Sequence, residues 1–178
     1  MKWLLRIGIG VVILIFAAFM VMFVWSGAAK GIGHSEIKIQ IDRPAAEVFE
    51  WITDTDKLKS WMEGFVEEKP LNGDSLRIGA RSMLIIEYDE QIYEMEMEIT
   101  DLEINRLLEV KISAIGWDET SRYVLNESDG STTLLFKDET QYKHTFAKLM
   151  EPLITLSARN HFQKNFTRLK TLAESAEM

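Results

Sequence analysis

Between Glu36 and Ile41 polar and apolar residues alternate without a break, which places Ile37, Ile39 and Ile41 on one side of the chain. That is the period of a half-buried strand. Asp42-Arg-Pro44 then predicts a helix start, with Asp42 or Arg43 near the cap and Pro44 in the first turn. In the helix from Ala45 to about Thr53, Val48, Phe49 and Ile52 fall on one stripe. A second short helix runs from about Thr55 to Met62, with Leu58, Trp61 and Met62 apolar, and Gly64 ends it.

From Phe65 to Tyr142 the period is two. Strands are expected at Phe65–Leu71, Ser75–Ile78, Ala80–Tyr88, Gln91–Glu103, Arg106–Ala114, Thr120–Glu127 and Thr132–Tyr142. Asn72-Gly73 and Asp129-Gly130 supply turn chemistry, and such short connections imply antiparallel pairing. Within Glu94–Ile99 the alternation sets Met95, Met97 and Ile99 inward and Glu94, Glu96 and Glu98 outward. The glutamate row reads as a solvated face, since carboxylates spaced along a strand do not converge on a cation. A long helix, roughly Lys143 to Ala173, closes the chain. Its apolar residues recur at three and four positions from Phe146 to Leu172, and Pro152 should kink it or split off its first turn. The order predicts an α+β fold in which a curved antiparallel sheet grips one long C-terminal helix and leaves a hollow between them.

The N-terminus has neither period. No charged residue occurs from Ile7 to Ala29, and Trp3 and Trp25 stand near the ends of the run. This predicts a transmembrane helix within residues 1–29, in contact with the membrane through residues 3–25. Ser26 to Ala29 could instead be a signal-peptide cleavage site, but the run is longer than such segments need. Lys2, Arg6 and the α-amine favour a cytoplasmic N-terminus and a domain on the extracytoplasmic side. Residues 30–35 read as a linker and residues 36–175 as the folded domain.

Charge narrows the partners. The chain carries 20 basic and 28 acidic residues. With Lys2, Arg6 and Lys30 assigned to the anchor and its junction, the domain stands near −11. Such a surface repels phosphates, and nucleic acid is excluded as a partner. Cysteine is absent, which removes disulfides, thiolate metal sites and cysteine nucleophiles. His34, His144 and His161 are too scattered for a metal motif, so no metal and no cofactor is expected. His34 reads as linker, His161 as the exposed side of the long helix, and His144 as a solvated helix end. Asn126-Glu-Ser128 and Asn165-Phe-Thr167 match the glycosylation pattern, but Asn165 falls within a helix.

In its order of pieces the chain resembles the SRPBCC superfamily, which holds START domains, polyketide cyclases and dehydratases, and other helix-grip proteins. The resemblance rests on Ile39–Ile52 (IQIDRPAAEVFEWI), Leu58–Gly64 (LKSWMEG), Glu98–Leu107 (EITDLEINRL) and the helix pattern from Thr140 to Leu172. It implies an apolar cavity between sheet and helix and supplies no universal catalytic residue. Met83, Ile85, Met95, Met97, Val110, Tyr123, Phe136, Phe146, Met150 and Leu153 are the candidate lining, though each also suits a filled core. Three functions remain open. One is a membrane-tethered carrier of a hydrophobic small molecule or lipid. Another is a cyclase- or dehydratase-type enzyme using polar groups such as Tyr123, Arg81 or Glu87. The third is a protein-interaction module with a filled cavity.

Overall fold

The computed structural model describes residues 2–25, 30–73 and 76–175. Helix α1 is Lys2–Trp25, followed by strand β1 (Ile32–Ile41) and helices α2 (Ala45–Thr53) and α3 (Thr55–Trp61). Six strands come next: β2 (Phe65–Pro70), β3 (Arg81–Tyr88), β4 (Gln91–Glu103), β5 (Leu107–Ser113), β6 (Trp117–Ser128) and β7 (Ser131–Tyr142). Helix α4 (Thr145–Ser175) ends the described chain.

The seven strands form one antiparallel sheet in the order β1-β7-β6-β5-β4-β3-β2. From β3 to β7 each neighbour is reached by a short connection, as a meander requires, and the longer segment 71–80 joins β2 to β3. At the β3–β4 and β6–β7 connections, Asp89, Glu90, Asp129 and Gly130 all have positive φ, the conformation of a two-residue hairpin turn. Register shifts between Phe65 and Glu67 in β2 and between Ile99 and Asp101 in β4 add local bend to those strands.

One core joins the sheet to its helices. Ile37 and Ile41 of β1, Leu134 and Phe136 of β7, and Val110 of β5 meet Val48, Phe49, Trp61, Phe166 and Leu169 from the helices. Asp54 caps α3, its side chain accepting from the backbone N–H of Lys57 at 2.9 Å. For α2 the expected cap is corrected. Pro44 itself holds the cap position, and the N–H of Ala45 donates instead to Glu127 of β6 at 2.7 Å.

Three further expectations change. Residues 30–35 are not all linker, because β1 starts at Ile32 and pairs with Gln141. Ser75–Ile78 gives no strand among its described residues; Asn72 instead bridges the loop, accepting from Arg81 N–H and donating to the Gly79 carbonyl at 2.8 Å each. Helix α4 runs through Pro152 without division.

The N-terminal reading is also corrected. In α1 the apolar side chains between Ile7 and Val21 are largely exposed. Among the described residues no helix is long and apolar enough to cross a membrane. That finding overturns the single-pass localisation, with its cytoplasmic N-terminus and extracytoplasmic domain, and withdraws the transmembrane helix and the membrane contact through residues 3–25. Ser26 to Ala29, the possible cleavage site, lie outside the described residues.

Candidate functional site

Cross-strand partners share a face of a sheet, so register decides which side chains look towards the helices. On β6 these are Trp117, Glu119, Ser121 and Tyr123, beside Ile112, Val110 and Leu108 of β5. Met95, Met97 and Ile99 of β4 and Leu84 and Ile86 of β3 continue the wall. Ile52, Leu58 and Met62 of the short helices and Phe162 of α4 cover it. They enclose a cavity of about 210 Å³, apolar except for a few groups, chiefly Glu119, Ser121 and Tyr123.

One end is closed by stacked rings. Phe136 lies 5.0 Å from Tyr123, 4.9 Å from Phe162 and 4.8 Å from Phe166, centroid to centroid, and Trp61 stacks on Phe166 at 5.6 Å. At the other end Ile86, Met95, Trp117 and Phe162 line both the chamber and a neighbouring solvent-open mouth of about 1060 Å³. Tyr88, Ile92 and Tyr93 of the β3–β4 hairpin, Ile115 of the β5–β6 loop, and Ile154, Ala158 and His161 of α4 rim it. An apolar hollow reached through an apolar mouth can take up a ligand from water and desolvate it, at about 25 cal/mol per Å² of apolar surface.

One acid group, Glu119, stands in the wall, and a second, Asp138, is buried behind it. Ser121 Oγ donates to Glu119 Oε1 at 2.8 Å, and Thr140 Oγ1 donates to Asp138 Oδ2 at 3.1 Å. Ser121 pairs with Asp138 across β6 and β7, and Glu119 pairs with Thr140, which brings the two carboxyl groups together. Loss of water pushes the Glu119 carboxyl up to about 8, and the neighbouring Asp138 charge adds to the rise. Asp138 is raised as well, chiefly by burial, and its hydrogen bonds to Thr140, Glu119 and Ser121 moderate the shift. The contact between the two carboxyl groups raises Glu119 and lowers Asp138, so Glu119 is the acid that holds its proton more tightly. The Tyr123 phenol is pushed up first by burial and then by the nearby Glu119 and Asp138 carboxyl groups, and it stays protonated.

Of the ten expected lining residues, Met95, Met97, Val110 and Tyr123 line the cavity. Phe136 stands behind Tyr123 in the ring stack. Met83 and Ile85 are corrected: they pair with Glu96 and Glu94 and share their face, while Leu84 and Ser82 pair with Met95 and Met97. Phe146 and Leu153 are also corrected, being 74% and 62% exposed. Met150 is half-buried but lines neither cavity nor mouth. Arg81 and Glu87, considered as polar cavity groups, are exposed, and Arg81 pairs with Glu96 on the outer face.

His34 belongs to β1 rather than to a linker, and His161 is half-buried at the mouth, where Nδ1 lies 3.5 Å from Glu63. Asn165 is buried and accepts from the Glu63 N–H at 3.2 Å, which withdraws it from glycosylation. Among the described residues no group of three or more His, Asp or Glu could hold a metal ion.

The sequence reading missed Glu119, Asp138, Trp117 and Phe162. Starting β6 at Thr120 removed the first two residues of its inner face. For Asp138 the signal was present: Leu134, Phe136, Asp138, Thr140 and Tyr142 share one parity, and an acid in that apolar row is out of place on a buried face.

No curated protein matches the chain in sequence. Solved structures match its fold. The crystal structure of Ara h 8.0201 covers 82% of this chain and 100% of its own, at 14% identity and a TM-score of 0.66. The Zhui aromatase/cyclase from Streptomyces sp. R1128 covers 80% and 94%, at 14% identity and 0.64. Protein MLL2253 from Mesorhizobium loti covers 82% and 99%, at 13% identity and 0.64. At these identities the likeness is one of fold, and it supports the SRPBCC resemblance. The profile described as Activator of Hsp90 ATPase homolog 1-like protein matches residues 42–174, from the end of β1 through nearly all of α4, and the chain belongs to that family.

Proposed function

We propose that the domain, residues 36–175, binds a hydrophobic small molecule or lipid in the cavity between sheet and α4. The observation that carries this reading is a pair of adjacent, largely apolar spaces, a 210 Å³ chamber and a wide mouth, that share Ile86, Met95, Trp117 and Phe162 as a common wall. A filled core would offer neither. Met95, Met97, Val110 and Tyr123 remain the proposed contacts from the original ten. Unbranched methionines suit a wall that adapts to its guest.

A second reading, an enzyme of cyclase or dehydratase type, is favoured by Glu119. A carboxyl whose hold on its proton is raised by burial and by a neighbouring acid is equipped for proton transfer. The aromatase/cyclase among the similar folds agrees with this reading. The family description suggests a protein-interaction role, and the open chamber weighs against a version of that role built on a filled cavity.

Native mass spectrometry of the purified chain tests the proposal. A co-purified apolar species, or uptake of one from a lipid extract, is the expected result, and Met97→Trp should abolish it by filling the chamber. A chain that stays free of added mass after incubation would remove the binding reading and leave protein interaction.

A further inference from the structure

Strand β3 runs between two openings. The mouth borders its last residues, Ile86 and Tyr88, and a smaller pocket of about 260 Å³ borders its first, Arg81 and Ser82. Thr53, Glu68, Leu76, Met97 and Ile99 line both this pocket and the chamber. Two polar groups here lack the partners that such a place demands. Ser82 is 5% exposed, and its Oγ has no hydrogen-bond partner among the described residues. Glu68 pairs with Leu84 and so turns to the inner face, half-buried, and nothing among the described residues holds its carboxylate by an ion pair or a hydrogen bond. Buried polar groups without partners are costly and uncommon in folded chains. An inward charge on an edge strand also discourages strand addition, but that role leaves the Ser82 hydroxyl unexplained.

Register brings the two together. Glu68 and Pro70 of β2 stand opposite Leu84 and Ser82 of β3, so Glu68 and Ser82 are diagonal neighbours, within reach of a long side chain. Thr53, at the end of α2, donates its hydroxyl to the Phe49 carbonyl at 2.8 Å and can still accept.

We infer that this pocket is the polar subsite of the cavity and that the ligand is an organic cation, an apolar body ending in a protonated amine, whose ammonium sits between Glu68 and Ser82. The inference rests on the binding reading above and names the ligand's chemistry. An ammonium carries donors only, and the site offers acceptors: the Glu68 carboxylate, Ser82 Oγ and Thr53 Oγ1. Of the residues that line the two spaces only Arg81 is basic, and it pairs with Glu96 on the outer face. Glu119 is the other acid of the chamber. A carboxylate or phosphate therefore meets like charge with no cation to receive it.

Octylamine, 1-octanol and octanoate share one chain and differ in the head. Calorimetric titration of the full chain with each, near pH 7 in about 0.15 M salt to screen the overall negative charge, tests the inference. A hydrogen bond to a charged group is worth about tenfold or more in affinity. The expected order is octylamine about tenfold tighter than 1-octanol, with octanoate the weakest. Glu68→Gln keeps the shape and removes the charge, so the amine-to-alcohol ratio should fall to about one, and Ser82→Ala should lower it by a smaller factor. If the wild type binds amine and alcohol equally, or if the ratio survives Glu68→Gln, the subsite is overturned and the apolar cavity stands. If none of the three binds, the binding reading fails and this inference with it. Equal wild-type affinities overturn the subsite even where a variant does not fold.

Discussion

From Phe162 to Ala173, α4 turns Asn165, Phe166, Leu169 and Ala173 into the core, whereas from Thr145 to Ser157 it leaves Phe146, Leu153 and Leu156 exposed. Both halves carry large apolar residues at three- and four-residue spacing. The rows differ in phase: Leu153 and Phe162 lie about two and a half turns apart at about 3.6 residues per turn, on opposite sides of the helix. The C-terminal row stacks on Trp61 and Phe136 and closes the cavity. The N-terminal half instead stands beside the mouth and supplies Ile154, Ala158 and His161 to its rim. One end of this helix is therefore structural and the other borders the opening.

The contrast can be broken most strongly at its closed end. Phe166 is 2% exposed and touches three rings, so Phe166→Ala should cost about 3–5 kcal/mol in denaturant unfolding. A loss below about 1 kcal/mol would mean that the ring stack does not hold the helix down.

Glu119→Gln gives the next largest effect, and its sign is opposite. Because the folded-state pKa of Glu119 is raised, the native chain binds the extra proton, and wild-type stability falls as pH rises from about 4.5 to about 8. Glutamine does not titrate. The variant should gain on the wild type steadily across that window and then hold level above it. Thermal melts at pH 5, 7 and 9 measure this, and a difference independent of pH would show that Glu119 is not desolvated.

The smallest effect belongs to the open half. Leu153→Ser should change stability by less than about 0.5 kcal/mol, because the side chain is mostly in water already. A loss comparable with that of Phe166→Ala would place Leu153 in a packed interface and remove the distinction between the two halves.

Alternation and helical spacing were enough to predict α2, α3, β1, the strands of the meander apart from a false one at Ser75–Ile78, and the long last helix, because those patterns are set by neighbours a few positions away. The same local rules located Met95, Met97, Val110 and Tyr123 in the cavity wall. They failed in β3, where Met83, Leu84, Ile85 and Ile86 are apolar on both parities and only pairing with Met95 and Met97 selects the inner face. They failed again in α4, where two apolar rows compete and contact with Trp61 and Phe136 chooses the second. The Glu119–Asp138 pair needed β6 and β7 aligned side by side before either acid had a partner. Period is a local property written along the chain. Face, phase and the meeting of two buried carboxyl groups depend on residues far apart in sequence, and only the tertiary structure brings those together.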